Sequence, residues 1–106
     1  MAMYLITANY SAQGLEGIRA QGAKSRVDAV RAMLEGVGGS LESFHFAFGE
    51  TDVFAIADVP GDEAAAAVSM TINATGAVST RTVKLLTVEQ VDDALSRTVN
   101  YRAPGA

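Results

Sequence analysis

Two hydrophobic periods follow one another along the chain, a two-residue period typical of β-strands and a wider period typical of helices. The runs rich in β-branched and aromatic residues predict four strands, at residues 3–10, 41–48, 53–59 and 77–86. Helical spacing predicts helices at residues 25–37 and 63–75 and a short one from residue 87 through residue 95. The predicted order is therefore strand, helix, strand, strand, helix, strand, and then an added helix.

Local signals indicate where these helices begin and end. Three N-terminal signals are present: Ser25 with Asp28 and Thr87 with Gln90, which match capping boxes, and Asp62 as an N-cap after a Pro-Gly pair. Glycines at 38, 39 and 76 end the first two helices. The segment before Ser25 contains three glycines within nine residues, at 14, 17 and 22, which is too many for us to predict a helix there.

A hairpin joins the second and third strands through the turn Gly49-Glu50-Thr51-Asp52. With Glu50 and Thr51 as the loop, three opposed pairs are predicted: Phe48 with Val53, Phe46 with Ala55 and Phe44 with Ala57. The second strand would put its three Phe rings on one face and Leu41, Ser43, His45 and Ala47 on the other. If the rings face the helices, Phe46→Ala is expected to cost about 3 to 5 kcal/mol of stability.

The order of elements predicts an α+β, ferredoxin-like βαββαβ fold with an added C-terminal helix. Right-handed crossovers place the two main helices on one face of a four-stranded antiparallel sheet. Because the second and third strands along the chain are apolar on both sides, the other face of the sheet would expose a hydrophobic patch. A second copy of the chain is expected to cover it. We predict one domain at residues 1–97, a flexible tail at 98–106, and a homodimer or higher oligomer.

Composition and charge exclude several classes of partner. A chain of 106 residues with 49% hydrophobic and 19% charged residues is one folded domain. Its net charge of -4 argues against nucleic acid, and the absence of cysteine excludes disulfides, thiolate nucleophiles and Cys-type metal centres. With no basic, signal-like N-terminal segment and no apolar span of about 20 residues, we expect a cytoplasmic protein with no membrane partner.

His45 is the only histidine, so one chain can form neither a His cluster for a metal nor a His pair for a proton relay. In a cavity between two subunits its imidazole could move a proton near neutral pH, which makes it the one catalytic candidate. A hydrogen-bonded structural or interface role is the alternative, and the one we expect. No metal site is predicted, because Glu50 and Asp52 at the hairpin turn are too few ligands, and a turn Asp commonly accepts from backbone amides instead.

Four residues are candidates for binding a ligand. Asn9 and Tyr10 end the first strand, where a polar group could meet a small molecule, although a Tyr at a sheet edge needs no ligand to explain it. Arg26 closes a basic, glycine-rich stretch at a helix N-terminus, which could hold a small carboxylate or phosphate but matches no nucleotide-binding motif. Arg81, on the fourth strand, could reach a cavity between subunits.

Several short motifs, in order, resemble the bacterial GYD domain family. They are Tyr10-Ser11-Ala12-Gln13-Gly14, Arg26, Gly38-Gly39, Gly49-Glu50-Thr51-Asp52, Asp62-Glu63-Ala64-Ala65, Gly76-Ala77-Val78 and Thr80-Arg81-Thr82, and together they span roughly residues 3–95. Gly49 and Asp52 match the signature for which the family is named, whereas Thr51 stands where the family has Tyr. The resemblance implies a small ferredoxin-like or dimeric α/β barrel fold and no established biochemical activity.

Two functions are consistent with these observations. The first is a small homo-oligomeric protein that binds a small organic or anionic ligand, or presents a regulatory or interaction surface, at a sheet face shared between subunits. The second is a cofactor-free enzyme of the dimeric α/β barrel kind, an isomerase or oxygenase, with His45 as its proton shuttle. A deep cavity that holds His45 together with Tyr10 or Arg81 would favour the enzyme. We expect the first function, with no cofactor.

Overall fold

The computed structural model describes residues 2–106, which form one antiparallel sheet and four helices. The elements in chain order are β1 (Ala2–Tyr10), α1 (Ala12–Gln21), α2 (Ala23–Gly36), β2 (Ser40–Phe46), β3 (Val53–Val59), α3 (Asp62–Ala74), β4 (Val78–Lys84) and α4 (Val88–Ser96). The strands are ordered β2-β3-β1-β4, with every neighbouring pair antiparallel. The predicted α+β, ferredoxin-like fold with an added C-terminal helix is confirmed, and α1 is an additional element.

Helix α1 occupies the glycine-rich segment in which we predicted none. Ser11 caps it, because the Ser11 side chain accepts a hydrogen bond from the Gly14 amide at 3.1 Å. A Cβ on Gly14 would lie 2.3 Å from the Ala77 carbonyl oxygen, so glycine at this position lets the helix approach the start of β4. Gly14 is therefore explained by close packing, and Gly22 by the positive φ at which α1 ends.

Two of the three predicted N-caps are wrong by one turn or less. Gly22, at a φ of 92°, both ends α1 and precedes the first residue of α2, so Ser25 lies inside the first turn of that helix. Helix α3 is preceded by Gly61, and the Asp62 carboxylate accepts from Tyr4 and Lys84 instead of capping the helix. The predicted capping box of Thr87 and Gln90 is present at the start of α4.

The hairpin loop is longer than the two residues predicted. Strand β2 ends at Phe46, and the Ala47 amide donates to the Asp52 carbonyl at 2.7 Å, so Phe46 pairs with Val53 and Phe44 with Ala55. The register differs from the prediction by two residues, which leaves Phe44 and Phe46 on one shared face, as predicted. The difference removes Phe48 from the strand, and its side chain is fully exposed.

An irregularity in β2 changes the face of one residue. The register shifts between Leu41 and Ser43, leaving Glu42 as an extra residue in the strand. Leu41 therefore lies opposite Ala57 and packs with the core, on the same face as Phe44, whereas strict alternation had placed it with His45. The bulge adds an apolar side chain to the face that the helices cover.

The core lies between the sheet and the helices. Leu34 of α2 and Val68 of α3 are buried against Tyr4, Ala57 and Val59. A second buried group continues the core toward the other end of the strands; its members are Ala8, Val53, Ala55 and Val78. Both groups lie on one sheet face, so the structure identifies which face the helices cover.

Helix α4 extends away from this body. Every residue of α4 is exposed, including an apolar stripe of Val88, Val91 and Leu95. The projection contributes to an elongated outline of 57 × 34 × 22 Å and a radius of gyration of 17.1 Å. None of the helices described within residues 2–106 has the length and apolar character that crossing a membrane requires.

Candidate functional site on the open sheet face

The uncovered sheet face carries an apolar row bordered by a mixed row. Pairing aligns Ser43, Ile56, Leu5 and Val83 across the four strands in one row, and His45, Phe54, Thr7 and Arg81 in the next. Phe54 is 43% exposed and Val83 is 51% exposed. Large apolar side chains therefore face solvent in a band across the sheet, beside one histidine and one arginine at its two edges.

A polar groove of about 330 Å³ lies where this face meets the hairpin loop. Its lining residues are Thr7, Ala8, Asn9, Glu50, Thr51, Ser79 and Arg81. The structure thus brings together two of the predicted ligand-binding residues, Asn9 and Arg81. Among the ion pairs found within residues 2–106, none involves Arg81, so its guanidinium is available to an anion. The groove can offer a small molecule the positive charge of Arg81, the negative charge of Glu50 and several hydroxyl groups.

Asp52 holds the hairpin loop against the end of β1. Its backbone amide donates to the Asn9 side-chain oxygen at 2.9 Å, and its carboxylate accepts from the Tyr10 amide at 3.0 Å. As expected for an Asp at the end of a turn, this carboxylate is engaged by a backbone amide. The Asn9 oxygen is likewise engaged in positioning the loop, and Asn9 also lines the groove. No cluster of three or more potential metal ligands is found in the described part of the chain.

His45 lies on the open face but apart from the polar groove. Phe54 and Thr7 separate it from Arg81, and three strand spacings amount to about 14 Å. His45 is not part of the polar groove's lining and makes no side-chain hydrogen bond among the residues described. One chain therefore does not provide the deep cavity, with Tyr10 or Arg81 beside the imidazole, on which the enzyme hypothesis depends.

Tyr10 and Arg26 lie on the opposite face, under the helices. The guanidinium carbon of Arg26 is 6.0 Å from the centroid of the Tyr10 ring, close enough for a cation-π contact. Burial raises the pKa of the Tyr10 phenol, and the nearby Arg26 charge offsets part of that rise. The five predicted site residues thus divide into His45, Asn9 and Arg81 on one face and Tyr10 and Arg26 on the other.

Some polar residues of the structure were not predicted from the sequence: Thr7 and Ser79 in the groove and one polar cluster elsewhere. Thr7 and Ser79 enter the groove through the pairing of β1 with β4, and no pattern in the sequence specifies that register. The missed cluster joins β1, α3 and β4: Tyr4 donates to Asp62 at 2.5 Å, and Lys84 lies 3.1 Å from the same oxygen. The hydrogen bond to Asp62 is the main cause that raises the pKa of Tyr4 to about 12, and hydrogen bonds from Tyr4 and Lys84 lower the pKa of Asp62.

Comparison with known proteins gives one match. The model of the GYD domain matches residues 4–95, from β1 into α4. A search of curated proteins and a search of solved structures found no similar chain. The matched range includes the loop-anchoring Asp52 and every residue of the polar groove.

Proposed function

The chain belongs to the GYD domain family, and on that premise we propose that it is a homo-oligomeric protein that binds a small ligand at its open sheet face. Membership in this family indicates a fold but no biochemical activity, so the support for the proposed function comes from the open sheet face itself. The observation that best supports the proposed function is the exposed apolar band on this face, which none of the helices α1, α2 and α3 covers.

The occupant we propose for the apolar band is a second copy of the chain. Phe54 and Val83 are large, half-exposed residues in the middle and at one edge of the sheet, and they adjoin the partly buried Leu5 and Ile56. A contiguous apolar surface of this kind marks an interaction site in a folded protein. The projecting stripe of α4 adds apolar surface that the same chain leaves uncovered, and two-fold pairing would bury both surfaces at once.

The ligand we propose is a small anion or polar molecule held in the groove beside Arg81. Pairing of the apolar band would place the groove at the rim of the subunit contact, where a second chain would limit its access to water. In that setting the charges of Arg81 and Glu50 would both be less screened, so a carboxylate or phosphate would bind more strongly beside Arg81 and would be repelled near Glu50. Thr7 and Ser79 would supply the neutral hydrogen-bonding groups.

The oligomer is tested by light scattering after gel filtration of the wild type and of Phe54→Glu. We expect a wild-type mass of at least twice the 11.0 kDa of one chain and a folded monomer for Phe54→Glu, because a buried carboxylate without a partner is costly. Met70→Glu is the matched control: Met70 is 71% exposed on α3, on the covered side. A wild-type monomer at micromolar concentration, or equal dissociation by both variants, would contradict the proposal.

The ligand is tested by mass spectrometry of gently purified protein under native conditions. We expect a small anionic adduct on the wild type that Arg81→Gln loses while its oligomer persists. An adduct retained by Arg81→Gln would show that the ligand binds elsewhere. If the wild type forms no adduct when phosphate or acetate is titrated to about 10 mM, the proposed ligand site is contradicted.

A further inference from the structure

The second pair of predicted ligand-binding residues, Tyr10 and Arg26, lies at a cleft on the helix side of the sheet. An outer groove of about 340 Å³ runs between α2 and α3, and a smaller inner cavity of about 40 Å³ lies beneath it against the sheet. A third groove of about 210 Å³ opens beside α1. Arg26 and Val78 line all three spaces, so the guanidinium stands where they meet.

The cleft walls are mainly apolar, with Thr71 and Thr75 in the lining of the outer groove. Val30 and Met33 of α2 and Ile72 of α3 line both the outer groove and the inner cavity. The polar side chains of the inner cavity are Tyr10, Arg26 and Thr80. An apolar space with a few converging polar groups is the usual form of a small-molecule site, in which the walls bind hydrocarbon and the polar groups fix its orientation.

Arg26 is a partly buried cation without a counter-ion. Its Nε atom is buried and has no hydrogen-bond partner, and no ion pair to Arg26 occurs among residues 2–106. Arg31, further along α2, pairs instead with Asp28 at the surface. Removing a charge from water without a partner is unfavourable, and an anion beside the guanidinium would offset that cost.

We propose that this cleft binds a small apolar monocarboxylate, whose carboxylate pairs with Arg26 and whose hydrocarbon part lies between α2, α3 and the sheet. A single guanidinium suits one carboxylate, and the apolar walls disfavour nucleotides and other polyanions, which need several cationic groups. Tyr10 adds a hydroxyl beside the guanidinium. A phenol is protonated at neutral pH, and burial raises the pKa of the Tyr10 phenol further, so its hydroxyl can donate to the carboxylate.

This site is independent of the proposed oligomer. Every residue that lines the cleft comes from one chain, and the cleft lies on the sheet face opposite Phe54 and Arg81. Binding is therefore expected to persist in the Phe54→Glu variant. Evidence against oligomer formation would therefore leave ligand binding in the cleft untouched, and evidence against binding in the cleft would leave the oligomer untouched.

The test compares two probes of equal chain length, octanoate and 1-octanol, by calorimetry and by NMR shifts of the cleft methyl groups. We expect the wild type to bind octanoate about tenfold or more tightly than 1-octanol, with shifts at Val30, Ile72 and Val78. In Arg26→Gln that preference should disappear while 1-octanol still binds. Arg31→Gln, which removes the same charge from the outer side of the same helix, should retain the preference.

Three results would overturn the proposal. They are equal binding of the two probes by the wild type, shifts confined to residues outside the cleft, and an equal loss of octanoate binding in Arg31→Gln. If Arg26→Gln fails to fold, the wild-type probe comparison and the methyl shifts decide the question without it.

Discussion

At the scale of single residues, two apolar side chains with similar positions in the sequence pattern differ in how far they are buried. Leu34 is 1% exposed, whereas Phe46, which we expected deep in the core, is 43% exposed near the end of β2. Its ring still faces the helix side and meets Phe44 edge-on at 5.1 Å between centroids. The condition on which the expected loss depended is met, because the Phe44 and Phe46 rings are on the covered face, but alternation along a strand does not indicate how far the helices extend over it.

Alanine substitution at these two positions should therefore give unequal losses. We expect Leu34→Ala to cost about 2 to 5 kcal/mol, because it leaves a cavity in a packed site. Phe46→Ala should cost only about 1 to 2 kcal/mol, less than the sequence suggested, because roughly half of the ring is already in water. Urea unfolding of both variants measures the difference, and a larger loss for Phe46→Ala would contradict the assigned burial.

The Tyr4 hydroxyl gives a second prediction at this scale. Its pKa of about 12 in the folded protein exceeds the ordinary value of 10.0, because Asp62 accepts its proton in a hydrogen bond. The resulting stability is present below pH 10 and is lost as the pH rises from 10 to 12. Titration by absorbance at 295 nm should show one phenol ionising near pH 12, which Tyr4→Phe removes and Tyr101→Phe does not.

Asp62, which accepts the hydrogen bond from Tyr4, affects stability at low pH. Hydrogen bonds from Tyr4 and Lys84 lower the pKa of Asp62, so its contribution to stability is present above the ordinary pKa of 3.8 and is lost as the pH falls through the lowered value. An unfolding midpoint that does not depend on pH in either range would contradict a bond between Tyr4 and Asp62.

At the scale of elements, α1 contains a matched pair of glycines with opposite expected effects. A Cβ at position 14 would meet the Ala77 carbonyl oxygen at 2.3 Å, whereas one at position 17 would meet no atom within 4 Å. Gly14→Ala should therefore destabilise the protein, because α1 must move away from β4. Gly17→Ala should stabilise it by about 0.5 to 1 kcal/mol, the usual gain from Gly to Ala within a helix. Thermal unfolding of the two variants, with opposite shifts in Tm, checks this.

The elements also show how much the sequence could predict. Strand β3 has the predicted bounds, Val53–Val59, because its apolar run is flanked by turn residues on both sides. Strand β2 was predicted to begin one residue too late and to end two residues too late, because Ala47 and Phe48 suit a strand by residue type although the hairpin loop includes them. Helix α1 was missed because helix propensity weighs glycine as a cost, and the benefit of Gly14 lies in a contact with a residue far along the chain.

At the scale of the whole molecule, the candidate sites depended on pairings that the sequence does not specify. Alternation along β1 accounts for the opposite faces of Asn9 and Tyr10, although the sequence analysis did not separate them. It could not place Arg81 beside Asn9, which follows from the register of β1 with β4, nor Arg26 over Tyr10, which follows from the packing of α2. The two proposed sites are therefore products of tertiary structure, although each of their charged groups was identifiable as a candidate.

The exposed apolar surface gives the proposed assembly a thermodynamic signature. If pairing buries Phe54, Val83 and the stripe of α4, the unfolding midpoint of the wild type should rise with protein concentration, because dilution favours the separated chains. In the monomeric Phe54→Glu variant the midpoint should not depend on concentration. The two readouts, mass and concentration dependence, report on the same interface by independent means.

The strand order β2-β3-β1-β4 also determines when this protein can fold during its synthesis. Strand β1 leaves the ribosome first, yet both of its neighbours are made later, and Tyr4 finds its partner Lys84 only when β4 is complete. Until then an apolar strand has an unpaired edge in a growing chain, a state prone to aggregation. The nascent chain can complete its sheet only after β4 has emerged, which makes the interval before that point the one in which a chaperone would matter most.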